Sequence, residues 1–351
     1  MYHLKSDYTL NPEDISLMIN KRITCSKVEP LKCINLGYSE VVEFIEGKFN
    51  SLKNLKELMK SQPIAITIDS LNQSLTTSYT TTFYEMNELF SEFNLKLSKK
   101  NLFVNDVYCM SVIAAKRHEE DLDYKLSILS KEIIPSSVDF KLGDNITESK
   151  IINSNEIYDD RFYDLHAGEH YDFILFQSYI SSRMDAADEY KYFESLFSKV
   201  INGMMLQSKG GTLVIKLMSV KHKLTAKLIH LLSLNYERIS IFKPKILNAT
   251  KEQYLVMEKF QQNEGEINKV QEQLFILLEK CSNIHDMYLI DIFVNMDINK
   301  ATMKFIFDYN CVYNENLVEY MNKYIKLSHN NAFTNTIDLK QLKNEYIKKY
   351  F

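Results

Sequence analysis

The stretch Ser208–Met218, "SKGGTLVIKLM", sets a Gly-Gly pair before a short β-favouring run that ends on a lysine, Lys216. A mostly apolar run opened by a turn signal predicts a strand in a sheet covered on both faces. The charge then stands at the strand's carboxyl end. In open α/β sheets ligands bind along that edge, so Lys216 is either a working group or the first solvated residue after a core strand.

On both sides of this strand the pattern alternates. Upstream, "FYEMNELFSEF" puts Phe83, Met86, Phe90 and Phe93 on one helical face, and "NLFVNDV" at 101–107 reads as a strand. A helix in "MSVIAAKRHEEDL", strands at 124–129 and 137–145, a loop or short helix over 146–170, the strand "YDFILFQS" at 171–178 and a helix at about 188–206 lead into the Gly-Gly strand. Downstream come the helix "LTAKLIHLLSLN" and the strands "RISIFKP" and "EQYLVMEKF". Strands alternating with helices of this length predict βαβ units, hence an α/β, Rossmann-like core over about 76–260. Residues 1–75 form an N-terminal extension with an expected lysine-rich helix at 50–60 and a strand at 63–69, "PIAITID", joined to the core by the polar connector 70–82. Residues 261–351 form a C-terminal α+β extension: a helix from 261, a strand in "MYLIDIFVNM", then lysine- and tyrosine-rich helices.

With 351 residues and 45% of them hydrophobic, the chain can bury a large core. A net charge of −4 supplies no overall positive field, so any nucleic-acid site must be a local patch. The five cysteines are too scattered for a disulfide scaffold or a zinc ribbon, and there is neither an export signal nor a long apolar run. These features predict a cytoplasmic protein, in a host cell or a virion if viral, with no membrane span. His166 and His170 in "HAGEH" have helical metal-pair spacing, but the glycine between them and the want of a third ligand argue against a metal.

Read together, the strand ending at Lys216 and "FKPKILNATKEQYLV" at 242–256 resemble the last motifs of the FtsJ-like RNA 2′-O-methyltransferases. Gly210, Gly211, Lys216, Lys243, Pro244, Glu252, Tyr254, Leu255 and Val256 fall in that family's order, and the helix and strand at 80–111 look like the start of the domain in cap-modifying members of large DNA viruses. The resemblance covers about residues 80–260. It implies a methyltransferase fold, a Lys-Asp-Lys-Glu tetrad in which a lysine deprotonates a ribose 2′-hydroxyl, and S-adenosylmethionine as cofactor. Lys216 and Glu252 match two tetrad members. The expected aspartate falls on Gln177 and the first lysine near Glu85, with Asp185 or Lys96 as possible substitutes.

The cofactor turn departs further. Where the family has a glycine-rich turn after the first strand, the corresponding residues are Asp106, Cys109, Met110 and Ser111, and no glycine occurs between Gly47 and Gly143. One alternative places that turn at Gly37 with Asp69 as the ribose partner. Lysines 209, 221, 223, 227, 243, 245 and 251 crowd one stretch of chain, and Lys243, Lys245, Lys221 and Lys223 are the candidates for phosphate contacts, against the plainer reading of a solvated face. Three functions follow: a catalytically degenerate member that binds capped RNA or another capping subunit and holds no cofactor; an active cap 2′-O-methyltransferase using S-adenosylmethionine, with Lys216 as general base; or a structural protein on a borrowed fold.

Overall fold

The computed structural model describes residues 2–4, 36–53, 55, 65–97, 100–104, 109–129, 149–152, 160–166, 168–177, 186–218, 220–247, 252–261, 297–329 and 339–351. Its centre is one eight-stranded sheet. In chain order the strands are β1 (Tyr2–Leu4), β2 (Asn101–Val104), β3 (Tyr124–Leu129), β4 (Ser149–Ile152), β5 (Tyr171–Phe176), β6 (Gln207–Leu217), β7 (Tyr236–Phe242) and β8 (Gln253–Phe260), and across the sheet they run β1-β7-β8-β6-β5-β2-β3-β4. Strands β2 to β6 are mutually parallel, while β8 runs antiparallel between β6 and β7. The parallel part reverses direction of travel at β2 and β5, which makes the gap between their carboxyl ends the switch point of a doubly wound sheet. This is a Rossmann-like, doubly wound α/β fold, with β1 added at the far edge, antiparallel to β7.

Helices cover both faces. One core joins α1 (Leu36–Asn50), α6 (Ala186–Met205), α7 (Lys223–Ser233) and α8 (Lys300–His329) to strand residues such as Ile174, Leu213, Ile215 and Leu255. The other joins α2 (Ile68–Leu75), α3 (Thr81–Phe93), α4 (Met110–His118) and α9 (Leu339–Tyr350) to Phe173, Leu175, Val214 and Val256. The short α5 (Asp160–Asp164) precedes β5. Because strand side chains alternate between faces, residues 213, 215 and 217 point to α6 and α7, and residues 214 and 216 point to α3. Lys216 therefore occupies a core-facing position, and the helix it faces decides what it can do.

The glycine pair of β6 does not open the strand. It lies within it. Tyr171 pairs with Gln207 but Phe173 already pairs with Thr212, so residues between them bulge out of the ladder. Gly210 takes φ +78°, and a Cβ on Gly211 would lie 2.9 Å from the Asp172 carbonyl oxygen of the neighbouring strand. The bulge lets the remainder of β6 resume register at a depth that sets Lys216 opposite Tyr254 of β8.

Several expectations change. Residues 65–67 are irregular and α2 begins at Ile68, so "PIAITID" does not deliver a strand there, and the supposed connector is helical to Leu75. The reason is local: Thr67 caps the helix by accepting from the Ser70 amide, and Ser70 reciprocates, which favours a helix start over extended chain. Residues 149–152 form the edge strand β4 where a loop or short helix was expected. Gly37 lies in the first turn of α1, the residues before it being outside the described ones, and Asp69 lies in the first turn of α2 rather than at the end of a strand, where the alternative glycine turn expected its acidic partner. Most of the expected helix at 50–60, the strand at 137–145 and the segment 262–296 lie outside the described residues. The lysine- and tyrosine-rich C-terminal helices are α8 and α9.

Candidate functional site

The site is built where β6 ends and β8 begins, beneath α3. Lys216 is 5% exposed, and its Nζ lies 3.1 Å from Glu85 Oε2 on α3 and 3.3 Å from Glu252 Oε2 just before β8. Cross-strand pairing puts Tyr254 beside Lys216 on the same face, and its hydroxyl bridges Glu85 Oε2 and, at 3.3 Å, Gln177 Oε1. Gln177 in turn donates from Nε2 to Ser111 Oγ on α4, 3.3 Å away. The four positions assigned from the sequence, Glu85, Gln177, Lys216 and Glu252, thus meet in one buried network, with Ser111 at its end. Tyr254, which joins them, was quoted in the sequence only as part of a strand motif. Its role depends on sheet register, which residue spacing does not encode.

Charge balance at these positions decides the chemistry. The Lys216 ammonium faces two carboxylates, with Lys243 a second cation within their field and a neutral amide at the fourth position. Burial by itself would lower the Lys216 ammonium's pKa, but Glu85 and Glu252 outweigh it and the net shift is upward. A lysine held protonated in this way donates hydrogen bonds and cannot accept a proton at neutral pH. Burial raises the Glu252 carboxyl, a shift that Lys216 opposes. Lys243, half-buried, donates to the Glu252 carbonyl oxygen at 2.7 Å, and burial draws its ammonium down to about 7. Behind β6, the Tyr192 hydroxyl on α6 donates to the Lys216 carbonyl at 2.9 Å, and Lys199 donates to that hydroxyl at 3.4 Å.

The cofactor position lies at the switch point, after β2. Asp106 falls outside the described residues. Cys109 caps α4 in the left-handed region at φ +54°, a conformation that glycine adopts without strain, and its side chain is buried. Met110 and Ser111 are buried too. The Gln177–Ser111 hydrogen bond spans the gap between the end of β5 and the start of α4, where S-adenosylmethionine would need backbone open to it. Residues 105–108, which complete this turn, fall outside the described residues, and beside it the described side chains set the Gln177 amide on the Ser111 hydroxyl.

The remaining candidates separate. Lys245 is exposed, with its ammonium 5.7 Å from the Tyr350 ring, and Lys221 and Lys223 are half-buried at the start of α7, where Glu189 accepts from the Lys221 and His222 amides. Lys227 is buried, and Lys209 sits at the amino end of β6, so neither extends a patch at the carboxyl edge. Lys251 and Asp185 fall outside the described residues, and Lys96 is exposed past the far end of α3 from Glu85. His166 is buried between the Ser127 and Tyr171 hydroxyls, at 3.1 and 2.9 Å, while His170 is exposed, and among the described residues no group of three or more possible ligands could hold a metal. Among the described residues no helix is long and apolar enough to cross a membrane.

Solved structures with the same general architecture include a protein assigned as a ribosomal RNA methyltransferase from Plasmodium falciparum, 17% identical over 53% of this chain and 100% of that one, with a TM-score of 0.40. An O-methyltransferase family protein from Burkholderia thailandensis is 12% identical over 65% of this chain and 73% of its own, with a TM-score of 0.34. Human methyltransferase-like protein 13, solved with SAH, is 16% identical over 59% and 92%, with a TM-score of 0.33. Scores this low carry no argument about chemistry, and the fold assignment stands on strand order. No protein-family model matches the sequence, and no curated protein matches it.

Proposed function

We propose that this methyltransferase-fold protein is catalytically degenerate and serves RNA modification, at the mRNA cap, as an RNA-binding or partner subunit. The observation that carries the reading is Lys216 clamped between Glu85 and Glu252. A general base at this position must be free to lose its proton, and two carboxylates at hydrogen-bond distance oppose that loss. Glu85 stands where the resemblance expects a second lysine, so the neighbour that would lower the pKa of Lys216 is replaced by one that raises it. Gln177 stands where an aspartate is expected, and its amide bridges to Ser111 across the cofactor approach.

Isothermal titration with S-adenosylmethionine tests the reading. The expected result is no saturable heat. A dissociation constant in the low micromolar range would overturn it and revive the active alternative, a cap-specific 2′-O-methyltransferase, for which Lys216→Ala should then abolish methylation of capped RNA.

A further inference from the structure

A cavity of about 520 Å³ lies beside this network, between the carboxyl end of β7 and α8. Tyr309 and Tyr313 line it with rings 10° from parallel and 5.9 Å between centres, joined by Tyr320 two turns further along α8. Two cations reach it. Lys243 comes from the sheet edge, its ammonium 5.4 Å from the Tyr313 ring, and Lys323 comes from α8, where it pairs with Glu319 at 2.6 Å. Glu92 of α3 forms part of the lining, and its Oε1 receives Lys349 and the Tyr350 hydroxyl. The α8 wall lies outside residues 80–260, the stretch that resembles the methyltransferase family.

We propose that this cavity binds one nucleotide, its base against the tyrosine wall and its phosphate at Lys243 and Lys323. The volume is that of an ordinary small-molecule site, and an aromatic wall with cations beside it matches the two chemistries of a nucleotide, a π-face and an anion. Lys243 already donates to the Glu252 carbonyl oxygen and lies in the field of the Glu252 and Glu85 carboxylates, so a phosphate would meet it as an added partner at the cavity wall. Glu92 offers a carboxylate acceptor for a base's amino group. The proposal rests on the RNA-binding reading above and deepens it, and the nucleotide has two possible sources, a residue of single-stranded RNA or a free mononucleotide.

Calorimetry with AMP, adenosine, inorganic phosphate and a single-stranded oligoadenylate hexamer tests it. AMP should bind at least tenfold more tightly than adenosine or phosphate alone. Val312 lines the cavity and is 40% exposed, so Val312→Trp should block the cavity without loss of fold, weakening AMP at least tenfold with an unchanged melting temperature. Lys323→Glu should act in the same direction. A hexamer that binds more tightly than AMP, and loses affinity in the Val312 variant, supports an RNA residue as ligand. Equal affinities support a free nucleotide. No saturable AMP binding, or AMP affinity unmoved by both variants, overturns the proposal, and if RNA still binds in that case the broader RNA reading survives. S-adenosylmethionine binding would sink the degenerate reading without touching this one.

Discussion

The carboxyl edge of the sheet holds two regions that the family resemblance would assign to one active site. At the β6 end, Lys216 remains in place and is enclosed by charge. At the β2 end, the expected glycine turn is replaced by the buried side chains Cys109, Met110 and Ser111, and the crossing to β5 is closed by a neutral hydrogen bond. One region keeps a residue and changes its neighbours; the other changes the residues themselves. The difference teaches that retention of a catalytic residue type says little without the charge around it, since a lysine between two carboxylates stabilises the fold where a lysine beside a second cation would be a base.

The sharpest way to break this comparison is Lys216→Met. Removing the ammonium leaves two carboxylates buried together, and stability should fall by about 3–5 kcal/mol in denaturant unfolding. A working general base would show the opposite pattern, with little loss of stability and complete loss of activity. Glu88, on the next turn of α3, provides a pH test of the same helix. Burial lifts its carboxyl from 4.5 to about 6, against hydrogen bonds from the Lys245 amide, the Tyr346 hydroxyl and the Ile246 amide. The folded state then binds the proton more tightly than the unfolded one, so stability should fall by about 2 kcal/mol as pH rises from about 4.5 to about 6. Glu88→Gln should flatten that part of the profile.

Behind the site, burial pushes the Lys199 ammonium down to about 7. Its unfolded form holds the proton up to a higher pH, so this group makes stability rise with pH between about 7 and 10.5. Lys199→Met should stabilise the protein at neutral pH by about 1 kcal/mol or more and remove that rise, as followed by thermal melts at several pH values. At the β2 end the effects are smaller. Gln177→Ala removes two neutral hydrogen bonds and should cost about 1–2 kcal/mol. If Gln177→Ala alone restored S-adenosylmethionine binding, the amide bridge rather than the missing glycines would be what excludes the cofactor.

The smallest effect distinguishes the two edges of the sheet. Lys245 is exposed at the carboxyl edge, and Lys209 lies in the bulge at the amino end of β6. Lys245→Glu should flatten the slope of log affinity for single-stranded RNA against log salt by about 0.7, the worth of one phosphate contact, and Lys209→Glu should leave it unchanged. Equal effects from the two would mean a diffuse lysine field rather than a site.

Much of the central sheet was legible because its strands are short apolar runs between amphipathic helices. "YKLSIL" occupies β3 over its full length, and "YDFILF" is β5. The expectation at "PIAITID" failed because the five residues Ile64 to Ile68, all apolar or β-branched, weigh towards a strand, while the reciprocal Thr67–Ser70 cap, invisible to periodicity, starts a helix inside the same stretch. The edge strand β4 was missed because its four residues, "SKII", carry two polar positions and too little pattern to separate them from a loop.

For the site the division is different. The sequence by itself determined which residue types stand at the four positions, that no glycine turn exists between Gly47 and Gly143, and that two lysines and an acid keep the spacing of the family motif. Only the tertiary structure decided that Glu85 and Glu252 reach the same ammonium, that Tyr254 links them to Gln177, and that Lys227 is buried while Lys245 is not. The reason is that a residue's charge is a local property of the chain, whereas its pKa and its reach are set by burial and by neighbours more than a hundred residues away, which helix packing and strand register bring together.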